Sequence, residues 1–76
     1  MTAPNALVVK IQKMAEAAIG YDVSTTLPLH EQDFDIYDIY NLEHDIESEF
    51  DLEDGLYIGS DGTVLKIAEY LNDLAS

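Results

Sequence analysis

The chain contains no cysteine, no tryptophan and no arginine. Without cysteine there is no disulfide to support a small fold and no thiol for catalysis or metal binding, and the lack fits a reducing compartment. Lysine is scarce as well: Lys10, Lys13 and Lys66 face sixteen acidic residues, giving a net charge of −13, and no lysine lies between Lys13 and Lys66. A domain of this balance is expected to repel nucleic acid and anionic lipid and to attract basic protein surfaces. No basic–apolar–small leader opens the sequence, and no apolar run approaches the ~18 residues a membrane helix needs. The expectation is one cytoplasmic domain over residues 1–76, monomeric, without contact to membrane. Hydrophobic residues make up 47% of it, which argues against disorder despite the charge.

What is present is helical period. Leu7, Val8, Ile11, Met14, Ala15, Ala18 and Ile19 share one broad face, with Lys10, Lys13 and Glu16 opposite and Val9 off the stripe. Thr2 is placed to cap this helix, Pro4 falls near its first turn, and Gly20 is placed to end it. Residues 21–34 then lose period, and Pro28 argues against a helix through the middle. Tyr21, Val23, Leu27, Leu29 and Phe34 are the side chains that can pin so long a connection to the core.

The stretch from Asp35 to Phe50 is the organising element. Asp35 has the chemistry of an N-cap. At about 100° per residue, Ile39, Leu42, Ile46 and Phe50 form a core stripe. Asp38, Asp45 and Glu49 flank it, and Tyr37, Tyr40 and His44 cluster on the far side. Those rings either tolerate exposure, pack under a loop, or form a partner-binding face, since neighbouring exposed aromatics are typical interface anchors. Beyond Phe50 the chain is turn-rich, with a short helical turn expected around Glu53–Tyr57. Ser60 or Asp61 is expected to cap a last helix that buries Val64, Ile67, Ala68, Leu71, Leu74 and Ala75 and points Lys66 and Glu69 to solvent. No alternation of strand type, repeat or low-complexity segment is evident. The fold class is all-α: three main helices, a possible short one and a long loop after the first.

Along its whole length the sequence resembles the acyl carrier protein family. Asp35–Ile36–Tyr37 through Glu49–Phe50–Asp51 lies where carriers have Asp-Ser-Leu leading to a Glu-Glu-Phe-like end, at the same interval. Thr63–Val64 with Ala68, Tyr70 and Leu71 is similar to the start and apolar pattern of their last helix, and an acidic second helix is typical of them. The resemblance implies an acyl-carrier-like bundle. It also locates a departure. Carriers attach 4′-phosphopantetheine through the serine of that motif, and Ile36 stands in its place, with no oxygen to accept the phosphate. No cofactor is therefore expected. Ser24, Ser48, Ser60 and Ser76 are the remaining hydroxyls of their kind, and none follows an aspartate at a helix start.

Other chemistry has little support. Carboxylates are abundant, but nothing sets two of them in contrasting environments as acid–base work requires. His30 and His44 belong to no nucleophile-elbow pattern, and without cysteine companions they make no zinc motif. Asp33, Asp35 and Asp38, or Asp51, Glu53, Asp54 and Asp61, do not match EF-hand spacing. The expectation is thus no enzyme and no dedicated metal site. It is an acidic interaction module using Asp35, Tyr37, Asp38, Tyr40, His44 and Glu47, with Asp33, Asp35, Asp38, Glu43 and Glu47 steering it to a basic surface. The partner would be an acyl-handling enzyme or a DNA-binding protein. Two alternatives stay open: a true carrier modified at another serine, and a DNA mimic, of the small acidic kind found notably in phages, that occupies a basic DNA-binding protein.

Overall fold

Amphipathic period of the kind just described can be satisfied only if the three apolar stripes meet. The computed structural model, which describes residues 3–75, brings them together as a small bundle of three helices, with no strand among the described residues. Helix α1 spans Asn5–Ile19, α2 spans Ile36–Phe50 and α3 spans Val64–Ala75. Helix α1 packs against both α2 and α3. None of the described helices is long and apolar enough to cross a membrane.

Helix α1 buries Ile11 and Ala15 and packs Leu7, Val8, Met14, Ala18 and Ile19 against the core. It ends at Gly20, whose φ of 78° is the left-handed geometry that glycine adopts without strain, and whose N–H donates to the Glu16 carbonyl. At the other end Pro4 holds the cap position and no side chain caps the helix. Thr2, expected there, lies outside the described residues.

The connection over residues 20–35 is built differently from its expectation. Val23, Leu29 and Phe34 are buried, but Tyr21 and Leu27 are exposed. Polar side chains hold what those two do not. Gln12 Nε2 donates to the Val23 carbonyl, and the Val23 N–H donates to Glu16 Oε2. Gln32 accepts from the Ser24 N–H and donates to the carbonyls of Ser24 and Leu27, so one amide ties off three backbone groups. Just after Pro28, one 3₁₀ turn, Leu29–Glu31, turns Leu29 into the core.

Helix α3 starts beyond Ser60 and Asp61, the residues expected to cap it. Ser60 and Asp61 lie in a tight turn closed by the Gly62 N–H on the Gly59 carbonyl. A Cβ on Gly62 would stand 2.9 Å from Ile58 Cγ2 and 3.1 Å from the Gly59 oxygen, so the turn has no room for a side chain there. The cap is Thr63, whose Oγ1 accepts the Lys66 N–H at 3.0 Å. The buried face is Val64, Ile67, Ala68 and Leu71; Leu74 and Ala75, expected inside, are exposed. They fall in the last turn of the helix.

The expected helical turn over Glu53–Tyr57 is absent: that segment carries bends and irregular chain. The reason lies on α2, in two carboxylates that take its backbone N–H groups, described next.

Candidate functional site

The outer face of α2 begins with its caps. Asp35 Oδ1 accepts the Asp38 N–H at 2.9 Å, and Asp38 Oδ2 accepts the Asp35 N–H at 3.1 Å, a reciprocal box that satisfies two end donors. At the far end Asp51 closes the helix in left-handed geometry, φ 52°, with its N–H on the Glu47 carbonyl. The helix between is therefore defined at both ends, and the side chains it presents have fixed spacing.

Ile39, Leu42 and Ile46 are buried, and Phe50 is half-buried. Opposite them Tyr37 and Tyr40 are 73% and 51% exposed, and His44 is exposed beside them. Ile36, in the first turn, is 56% exposed. Of the three readings left open for the rings, packing under a loop is removed: they face solvent. Of the expected contact residues, Asp35, Tyr37, Tyr40 and His44 are exposed and Asp38 is half-buried, and Asp35 and Asp38 already spend carboxylate oxygens on each other's backbone.

Glu43 and Glu47 are engaged differently from that set. Glu43 is only 9% exposed, and its Oε2 accepts the Ile58 N–H at 2.7 Å. Its charge remains part of the molecule's summed field, but the carboxylate is committed to the Ile58 N–H and offers a partner little surface to touch. Glu47 is half-buried; its Oε2 accepts the Leu56 N–H at 2.7 Å, while its Oε1 lies 3.7 Å from His44 Nδ1. The two glutamates are four residues apart, about 6 Å along a helix axis. Alternate amides of a stretched chain are about 6.6 Å apart. The match lets α2 hold residues 52–59 as a strap, and a helical turn there would break it. The Ile58 carbonyl is met from the other side by His30 Nε2 at 3.4 Å. The sequence signal was the i, i+4 glutamate pair on the margin of the core stripe, read there as charge.

The few cations are largely used within the chain. Lys10 Nζ bridges to Glu49 Oε2 at 2.7 Å and stands over the Phe50 ring, and Lys66 binds Asp61 at 3.3 Å. Sixteen acidic residues against three lysines leave a net charge of −13, so raising salt from about 10 to 150 mM, which shortens the screening length from ~30 to ~8 Å, will raise the melting temperature by several degrees. A melting temperature flat across that range would show that self-repulsion is unimportant. Among the described residues no group of three or more His, Asp or Glu side chains is placed to hold a metal ion.

Set against family models, curated proteins and solved structures, the chain matched none.

Proposed function

We propose that this chain is a non-enzymatic interaction module of acyl-carrier-like build, and that it presents the outer face of α2 to a basic surface on a protein partner. The observation that carries the reading is the exposed group of Tyr37, Tyr40 and His44 on a helix fixed at both ends. A helix with one buried face has no folding use for a second set of rings, whereas rigid aromatic side chains are effective anchors at interfaces. The net charge of −13 supplies the encounter with a basic partner, and the rings supply contact once it arrives. Exposed carboxylates such as Asp33, Asp35 and Asp45 lie nearest an approaching partner, whereas Glu43 is set back in the core. Acyl-handling enzymes are the favoured partner class, on the strength of the family resemblance. Ile36 stands where the phosphopantetheine serine would be, so the surface is offered for recognition without a prosthetic group.

Tyr40→Ala tests this. Affinity for a partner recovered from host lysate will fall by ten-fold or more, the loss of about 1.4 kcal/mol or above expected of an aromatic anchor, with the circular dichroism of the helices unchanged. Retained binding removes the aromatic face from the argument; retained binding that DNA displaces points to the mimic instead. In parallel, incubation with coenzyme A and a phosphopantetheinyl transferase will leave the mass unchanged. A mass gain abolished by one Ser→Ala change would establish a carrier modified at another serine.

A further inference from the structure

A second surface lies away from the outer face of α2. Between the strap and α3 runs a groove made of three hollows that share walls. The first, about 380 Å³, is lined by Leu56, Tyr57, Ile58, Ile67 and Tyr70 among others. The second, about 210 Å³, shares Tyr70 and adds Leu52 and Leu74. The third, about 280 Å³, shares Leu52 and Leu74 and reaches Phe50 and Leu71. Tyr57, at 87% exposed, stands at the lip, and Tyr70 and Leu74 are exposed along the α3 side.

The charges along the groove are mainly acidic, although Lys10 of α1, paired with Glu49, stands over the Phe50 ring at the α2 end. At the end near Leu74 the C-termini of α2 and α3 both border the hollow, through Phe50 and Ala75, and neither helix has a basic residue in its last turn. The negative ends of two helix dipoles therefore meet there, beside Asp51, Glu53 and Asp54. The one cation in the lining, Lys66 at the opposite end, is engaged by Asp61. An apolar floor with a negative end selects a ligand that is apolar along one side and positive at one end. It disfavours an anionic small molecule. A second copy of a chain carrying −13 is disfavoured by mutual repulsion. The length fits a helix: Ile67 to Leu74 spans about 10.5 Å along α3, as do apolar residues at i, i+4 and i+7 of a docked helix.

We propose that this groove docks a cationic amphipathic helix of a protein partner, with its apolar ridge on Tyr57, Ile67, Tyr70 and Leu74 and its lysines or arginines toward Asp51, Glu53 and Asp54. The site stands independently of the α2 face and survives if that reading fails.

The probe is a synthetic peptide of leucine and lysine with leucines at i, i+4 and i+7, compared with a scramble of the same composition, titrated into isotope-labelled protein and followed by amide shifts. The amphipathic peptide will bind at least ten-fold tighter than the scramble and move the amides of residues 56–58 and 67–74. Leu74→Lys, an exposed position whose change leaves the core intact, will weaken it ten-fold or more, as will Tyr70→Ala; Tyr40→Ala will not. Equal binding of the scramble, shifts centred on residues 36–44, or indifference to Leu74→Lys overturns the proposal.

Discussion

Glu43→Ala will lower the unfolding free energy by about 2–3 kcal/mol, the upper part of the range for leaving a buried donor without its charged acceptor. For a domain of this size that is a fall of about 10–20 °C in melting temperature. The donor left behind is the Ile58 N–H, in a buried residue whose side chain belongs to the core. Glu43→Gln keeps an acceptor oxygen at nearly the same position and removes one negative charge from a strongly acidic molecule, so it will cost less than half as much. Calorimetry on the two variants, with hydrogen exchange at Ile58 and Leu56, separates the contributions. Loss of protection at Ile58 in the alanine variant, with protection kept in the glutamine variant, identifies the carboxylate oxygen as the latch. Wild-type stability and protection in Glu43→Ala would mean the strap is held by packing alone.

Leu29→Ala will cost about 2–5 kcal/mol, as deletion of a large, fully buried side chain does, whereas Leu27→Ala, two residues earlier at a position 52% exposed, will stay within about 0.5 kcal/mol of the parent. The pair of substitutions tests whether the long first connection is structural. Leu29 is placed by a 3₁₀ turn that Pro28 starts, and its N–H donates to the Gly62 carbonyl, so it joins the two connections as well as filling the core. Urea unfolding at equal slope would give both values. Equal, small effects at the two positions would mean that the connection rests on the surface and contributes little.

How much of this was legible in the sequence depended on which atoms did the holding. The helices declared themselves through side-chain period: Ile11 and Ala15 on α1, Ile39, Leu42 and Ile46 on α2, and Val64, Ile67, Ala68 and Leu71 on α3 are buried as the spacing requires. The Asp35 cap and the Gly20 stop were readable because their chemistry is local. The same period sets Tyr37, Tyr40 and His44 opposite the core stripe; that they face solvent rather than pack under a loop is seen only in the structure.

Other features escaped because they depend on backbone groups distant in sequence. Nothing local marks Gln12, Glu16 or Gln32 as partners of a loop, or Glu43 and Glu47 as partners of Ile58 and Leu56. Counting all carboxylates as surface charge therefore misplaced Glu43. The cap of α3 is hidden in the sequence for a related reason. Ser60, Asp61 and Thr63 are all competent caps, and the choice fell to the Gly59–Gly62 turn, which consumes the first two. The groove beside α3 was hidden because Leu74 was assigned to the interior.

The latch that holds the strap grips main-chain N–H groups, and this has a consequence for how the protein can change. Glu43 and Glu47 would bind the same amides whatever side chains the strap displayed at its exposed positions, Glu53, Asp54 and Tyr57. Proline at 56 or 58 is the substitution the latch itself forbids, since it removes the donor. The strap is thus a display segment whose lettering at those positions is uncoupled from its fastening. A lineage could change the side chains along this edge of the molecule while leaving the fold that presents them untouched.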